Sequence, residues 1–118
     1  MARRSDHSRE EIREMALTAA EKIVSKQGHA GLSARKVAGA IGYTVGTLYL
    51  VFENLDDLIL QVNGRTLDRL HDQMVKDQTR YQDSRKRLLQ LGHTYLRFAD
   101  EDPHGWEMIV ERRAKEEA

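Results

Sequence analysis

Apolar residues recur along the chain at three- and four-residue steps, the spacing of one helix face. Ile12, Ala16, Ala19, Ala20, Ile23 and Val24 make the first such face. Ser8 and Glu11 stand at capping-box spacing before it and Gly28 is a stop after it, which predicts a helix over 8–27. Val37, Ala38 and Ile41 predict a short second helix with Ser33 as N-cap and Gly42 as its end. Thr44 caps a third short helix that runs to about Phe52. Asn54, followed by Asp56 and Asp57, reads as an N-cap with an acidic first turn, which suits the helix dipole. Leu55, Leu58, Ile59, Val62, Thr66, Leu70 and Met74 then carry a long fourth helix, and the polar stretch from Asp77 to Asp83 predicts a break. Leu88, Leu91, Gly92, Tyr95, Leu96 and Ala99 predict a fifth helical face. Asp102-Pro103 starts a sixth helix along Trp106, Ile109, Val110 and Ala114. No segment shows strand alternation, so the expected class is all-α.

The stretch 33–52 says most about function. Two short helices meet at Gly42, where a tight turn needs a residue that tolerates positive φ. Ala38 is the small residue that lets the helices cross closely, and Val37, Ile41, Leu48 and Val51 are expected to close a small core between them. Thr44, Val45, Gly46 and Thr47 are left at the outer N-terminal end of the second of the pair. This is the layout of a helix-turn-helix, whose second helix enters the DNA major groove by its N-terminus.

Charge changes the picture only through its distribution. The 118 residues carry 19 Lys and Arg against 19 Asp and Glu. That balance excludes a strongly basic coat protein and a polyacidic tail, but not a local basic face. Residues 1–50 hold eight basic and five acidic groups, so the front end is the part expected to meet an anion. Arg3 and Arg4 are either an arm reaching DNA or simply solvated. With no cysteine, disulfides, Cys-ligated zinc and thiol catalysis are excluded. No apolar run approaches the roughly 20 residues of a membrane span, and no h-region follows the N-terminal arginines, so a cytoplasmic protein is expected.

Residues 9–62 resemble the DNA-binding domain of the TetR family of bacterial transcriptional regulators. The matching residues are Ala19-Ala20, Gly28, Leu32-Ser33, Val37-Ala38, Ile41-Gly42-Tyr43, Gly46-Thr47-Leu48-Tyr49, Phe52 and Leu58. Residues 84–114 resemble the start of the family's regulatory domain more loosely. The resemblance implies a three-helix DNA-binding domain over 1–53, then a connecting helix and a partial helical regulatory domain, truncated or naturally short, over 54–118. It implies that Thr44, Val45, Gly46 and Thr47 face the groove and that Tyr49 and Ser33 bind phosphate. Arg35 and Lys36 are further phosphate partners at a helix end that attracts anions. Many members carry a lysine at the start of the fourth helix; here Asn54-Leu55-Asp56-Asp57 stands there, leaving Asn54 and the helix amides for that contact.

The expectation is therefore a repressor that binds double-stranded operator DNA of palindromic sequence as a homodimer in its full-length form and is released by a small-molecule effector. A second reading, from another class, is a short interaction protein that pairs with a related regulator and blocks its DNA binding. No enzyme is expected: there is no Gly-x-Ser-x-Gly, no phosphate-binding glycine loop and no His-Glu-x-x-His. His71, His93 and His104 lack metal-ligand spacing, and no cofactor is implied. Tyr43 is expected to pack; Tyr95, Phe98 and Trp106 either line a ligand cavity or, as aromatics at helical spacing more often do, pack in the core; and Arg85-Lys86-Arg87 is expected to be a solvated face.

Overall fold

The computed structural model describes residues 6–117, with side chains through Arg112. Arg3 and Arg4 therefore lie outside the described residues, as does the side chain of Ala114. The described residues are all-α, and the chain divides into one compact unit that ends at Asn63 and a second that starts at Gly64.

The first unit opens with α1 (Arg9–Gln27). Ser8 Oγ accepts from the Glu11 N–H at 3.1 Å and Glu11 Oε1 accepts from the Ser8 N–H at 3.0 Å, the reciprocal capping box expected from their spacing. The Ser8 backbone N–H, with the Ser8 hydroxyl beside it, holds the Glu11 carboxyl below its ordinary value. Gly28, at φ 76°, stops the helix. A single 3-10 turn (His29–Gly31) leads to α2 (Ala34–Ile41) and α3 (Val45–Val51). Ile12, Ala16, Ala20 and Val24 are buried, as their period predicts, and so is Leu17. They pack with Val37, Ala38 and Ile41 of α2 and with Leu48 of α3, which is fully buried. Val51 is only half-buried; Phe52, Leu58 and Val62 complete the core instead.

The long helix α4 (Leu55–Gln78) carries the chain into the second unit, where α5 (Ser84–Glu101) and α6 (Pro103–Glu117) follow. Asp83 caps α5 by accepting from the Arg85 N–H at 2.9 Å, and Asp102 Oδ1 accepts from the Gly105 N–H at 3.1 Å at the start of α6. The rings of Tyr95 and Trp106 meet edge to face, with centroids 5.1 Å apart.

The apolar face expected of α5 is not a core face. Leu88 is 70% exposed and Leu96 65% exposed, because no described element of the second unit covers that side. Buried on α5 is a polar residue, Thr94, and on α6 Gly105 and Met108 are buried. No helix among the described residues is long and apolar enough to cross a membrane.

Candidate nucleic-acid interface

The turn between α2 and α3 is set by Gly42, which sits in the left-handed region at φ 78° and ψ 29°. A side chain there would bring Cβ against the following carbonyl, so glycine is the residue the turn requires. The Gly42 N–H and the Tyr43 N–H both reach the Ala38 carbonyl, closing the C-terminus of α2, and the chain leaves directly into α3.

Tyr43 is half-buried beside this turn, and its hydroxyl pairs with His7 Nδ1 at 2.8 Å and donates to Asp6 Oδ1 at 3.4 Å. The two rings stand edge to face at 6.0 Å. Tyr43 thus packs, as expected, and ties the segment before α1 to the helix-turn-helix. Sequence reasoning missed His7 and Asp6, since partners 36 and 37 positions apart leave no local signal.

Thr44 caps α3: its Oγ1 accepts from the Thr47 N–H at 3.2 Å and pairs with the Thr47 hydroxyl at 3.1 Å. The two hydroxyls share one hydrogen between them, so the pair keeps one O–H to offer outward. Gly46, Tyr49 and Leu50 are three and four residues apart and share a face, opposite buried Leu48, and all three are exposed. A Cβ on Gly46 would meet only Thr44 Oγ1, at 3.7 Å, an ordinary contact. Nothing inside the protein demands glycine at this position. Leu50, 62% exposed, is an apolar group on the same face that sequence reasoning passed over, although its four-residue spacing from Gly46 marks it.

The α2 positions lie at the start of that helix. Ser33 Oγ accepts from the Lys36 N–H at 3.1 Å. Lys36 Nζ donates to Gln27 Oε1 at 2.7 Å, and both Arg35 and Lys36 are exposed. Asn54 is exposed and caps α4, its Oδ1 accepting from the Asp57 N–H at 2.8 Å. Asp57 is committed in turn: its Oδ2 accepts from the Glu53 N–H at 3.0 Å and its Oδ1 from Gln61 Nε2 at 3.2 Å. The acidic start of α4 is therefore a helix cap, with Asp57 bound to its own chain. Ser33, Arg35, Lys36, Thr44, Val45, Gly46, Thr47, Tyr49 and Asn54 all belong to the first unit, at the beginnings of α2 and α4 and along α3. Among the described residues, no three His, Asp or Glu side chains gather as a metal-ligand set.

The family model of the bacterial regulatory proteins of the tetR family matches residues 16–62, which span the end of the first helix through the start of α4. Over these residues the chain is similar to the bacterial regulatory proteins of the tetR family. Solved structures are similar in fold. A TetR family transcription regulator from Marinobacter aquaeolei VT8 is 28% identical, with a TM-score of 0.64 over 82% of this chain and 51% of that one. The fold is shared with a TetR-family transcriptional regulator from Haemophilus influenzae (23% identical, TM-score 0.59, 86% of this chain and 55% of that one). It is shared also with a fatty acid degradation regulator from Bacillus halodurans (20% identical, TM-score 0.66, 91% and 55%). The chain spans about half the length of these structures. No curated protein sequence matches it.

Proposed function

We propose that this chain carries the DNA-binding domain of a transcriptional repressor over residues 1–53 and the beginning of its helical regulatory domain over 54–118, and that the first turn of α3 enters the major groove of a palindromic operator. The observation that carries the reading is the outer face of α3. Gly46 weakens a short helix and has no internal reason to be glycine, while a groove floor does exclude a side chain there. Around it, the Thr44–Thr47 hydroxyl pair has one O–H to give to a phosphate or base acceptor, and Val45 and Leu50 offer apolar contact to thymine methyls. The Tyr49 hydroxyl, Ser33, Arg35 and Lys36 supply phosphate contacts, helped by the amide end of α2. Asn54 adds its side-chain amide where many relatives carry lysine.

One such unit makes few contacts. Two held about 34–36 Å apart engage successive major grooves, and the second then binds at high effective concentration. The repressor is accordingly a homodimer in its full-length form, released by a small molecule that favours a spacing unfit for the operator. The alternative, a pairing protein that blocks a relative's DNA binding, would be favoured by acids beside the DNA face; of the two at the start of α4, Asp57 is instead bound to its own chain.

The test is fluorescence anisotropy with labelled candidate operators at several salt concentrations, on this chain alone and fused to a parallel coiled coil. The expected result is weak binding by the chain alone, tighter binding by the fusion, and a steeper log–log salt slope for the dimer, which displaces more counterions. Tight binding that is independent of the fusion contradicts the dimer requirement, and salt-dependent binding by neither form removes the DNA-binding reading.

A further inference from the structure

The second unit holds a groove of about 460 Å3 between the last turns of α4 and the last turn of α5. Arg69, Lys76, Arg80 and Arg97 line it, against two acids, Asp77 and Glu101. One of those acids is already occupied. Asp77 is buried, and its Oδ2 accepts from Thr94 Oγ1 at 2.8 Å and from Arg97 Nη2 at 2.7 Å. The Thr94 and Arg97 bonds, with the nearby charge of Arg80, hold the Asp77 carboxyl below its ordinary value, so it is ionised at neutral pH. Asp77 thus acts as a fixed anchor that orients Arg97 across the α4–α5 pair. It offsets one positive charge of the four and leaves Arg97 with unused donors, its side chain 47% exposed. Lys76 and Arg80 are exposed beside it. Phe98 adds an aromatic wall.

An oriented guanidinium fork, a second arginine and an aromatic ring together match a planar or tetrahedral anion attached to an apolar group. We propose that this groove binds a small organic anion, whose carboxylate or phosphate is held by Arg97 and Arg80 and whose apolar part lies on Phe98. The site stands on the second unit alone and does not depend on the DNA-binding reading.

The test titrates the 118-residue chain with phenyl phosphate, inorganic phosphate and phenol, following backbone amides by NMR and heat by calorimetry. Phenyl phosphate is expected to shift amides around Asp77–Arg80 and Arg97–Glu101 saturably and to bind more tightly than inorganic phosphate, while phenol leaves those amides unmoved. Arg97→Gln is expected to weaken phenyl phosphate binding by about tenfold or more, the scale of one charge-assisted hydrogen bond. Arg80→Gln, at an exposed position that leaves the Asp77 bonds in place, does the same and carries the test should Arg97→Gln fail to fold. Lys26→Gln, in the first unit, leaves binding unchanged. No saturable shift at these amides, or shifts indifferent to both arginine variants, overturns the proposal.

Discussion

Replacing Gly46 separates stability from DNA binding. A Cβ at this position meets Thr44 Oγ1 at 3.7 Å and nothing else within 4 Å, so Gly46→Ala introduces no clash. Alanine is favoured over glycine by about 0.8–1 kcal/mol in a helix interior. Gly46 sits two positions after the N-cap of a seven-residue helix, where less of that difference is realised, and about 0.5 kcal/mol is expected. For a unit of this size that raises the melting temperature by about 2–4 °C. Gly46→Glu is tolerated by the same open space, and its charge suits the first turn of a helix. On DNA the order reverses. In the proposed docking the methyl of alanine would meet the groove floor, with an expected loss of about tenfold in affinity, or about 1.4 kcal/mol. The glutamate adds bulk and negative charge beside phosphates and is expected to abolish binding. Circular-dichroism melts and anisotropy titrations on the same preparations measure both effects. A lower melting temperature for Gly46→Ala would show that the glycine serves internal packing. Undiminished operator binding by a folded Gly46→Glu would show that α3 is not the reading helix.

Gly42→Val forces a β-branched residue into the left-handed region and should cost more than about 1 kcal/mol, visible as a lowered denaturation midpoint; an unchanged midpoint would contradict the strained turn. Tyr49→Phe should weaken DNA binding by about 1 kcal/mol on every operator sequence tried, since in the proposed role it removes one phosphate bond and no base contact, so a sequence-dependent loss argues against this role. Leu48→Ala empties a fully buried position and should destabilise by about 2–5 kcal/mol in chemical denaturation, with a smaller cost indicating that the α1–α3 core is looser than the packing described. The carboxyls of Glu11 and Asp77 are both lowered in the folded chain, so the stability they contribute is present above the ordinary carboxylate range and is lost as pH falls through their folded values. Melting curves from about pH 7 down to about pH 3 should show this loss, and Glu11→Gln should shallow it; equal slopes in both proteins would remove Glu11 from the account.

The sequence by itself determined the helices and their ends. Ser8 with Glu11, Ser33 with Lys36, Thr44 with Thr47 and Asn54 with Asp57 all act across three residues, so each cap is written in adjacent letters. Gly42 is legible for the same reason, because its conformation is a property of one residue. The candidate DNA face followed, since positions 44–49 sit where a capped, seven-residue helix must present them. Only the tertiary structure decided which apolar faces are covered. Leu88 and Leu96 have the period of a core face, yet remain exposed, because burial depends on what packs opposite and no spacing within one helix encodes that. It alone joined His7 to Tyr43, and Asp77 to Thr94 and Arg97, across 36, 17 and 20 positions. In the sequence Asp77 is one more polar residue at a helix end. Folding buries it between two arginine-bearing helices, and a charge in that setting persists only where partners from elsewhere in the chain meet it.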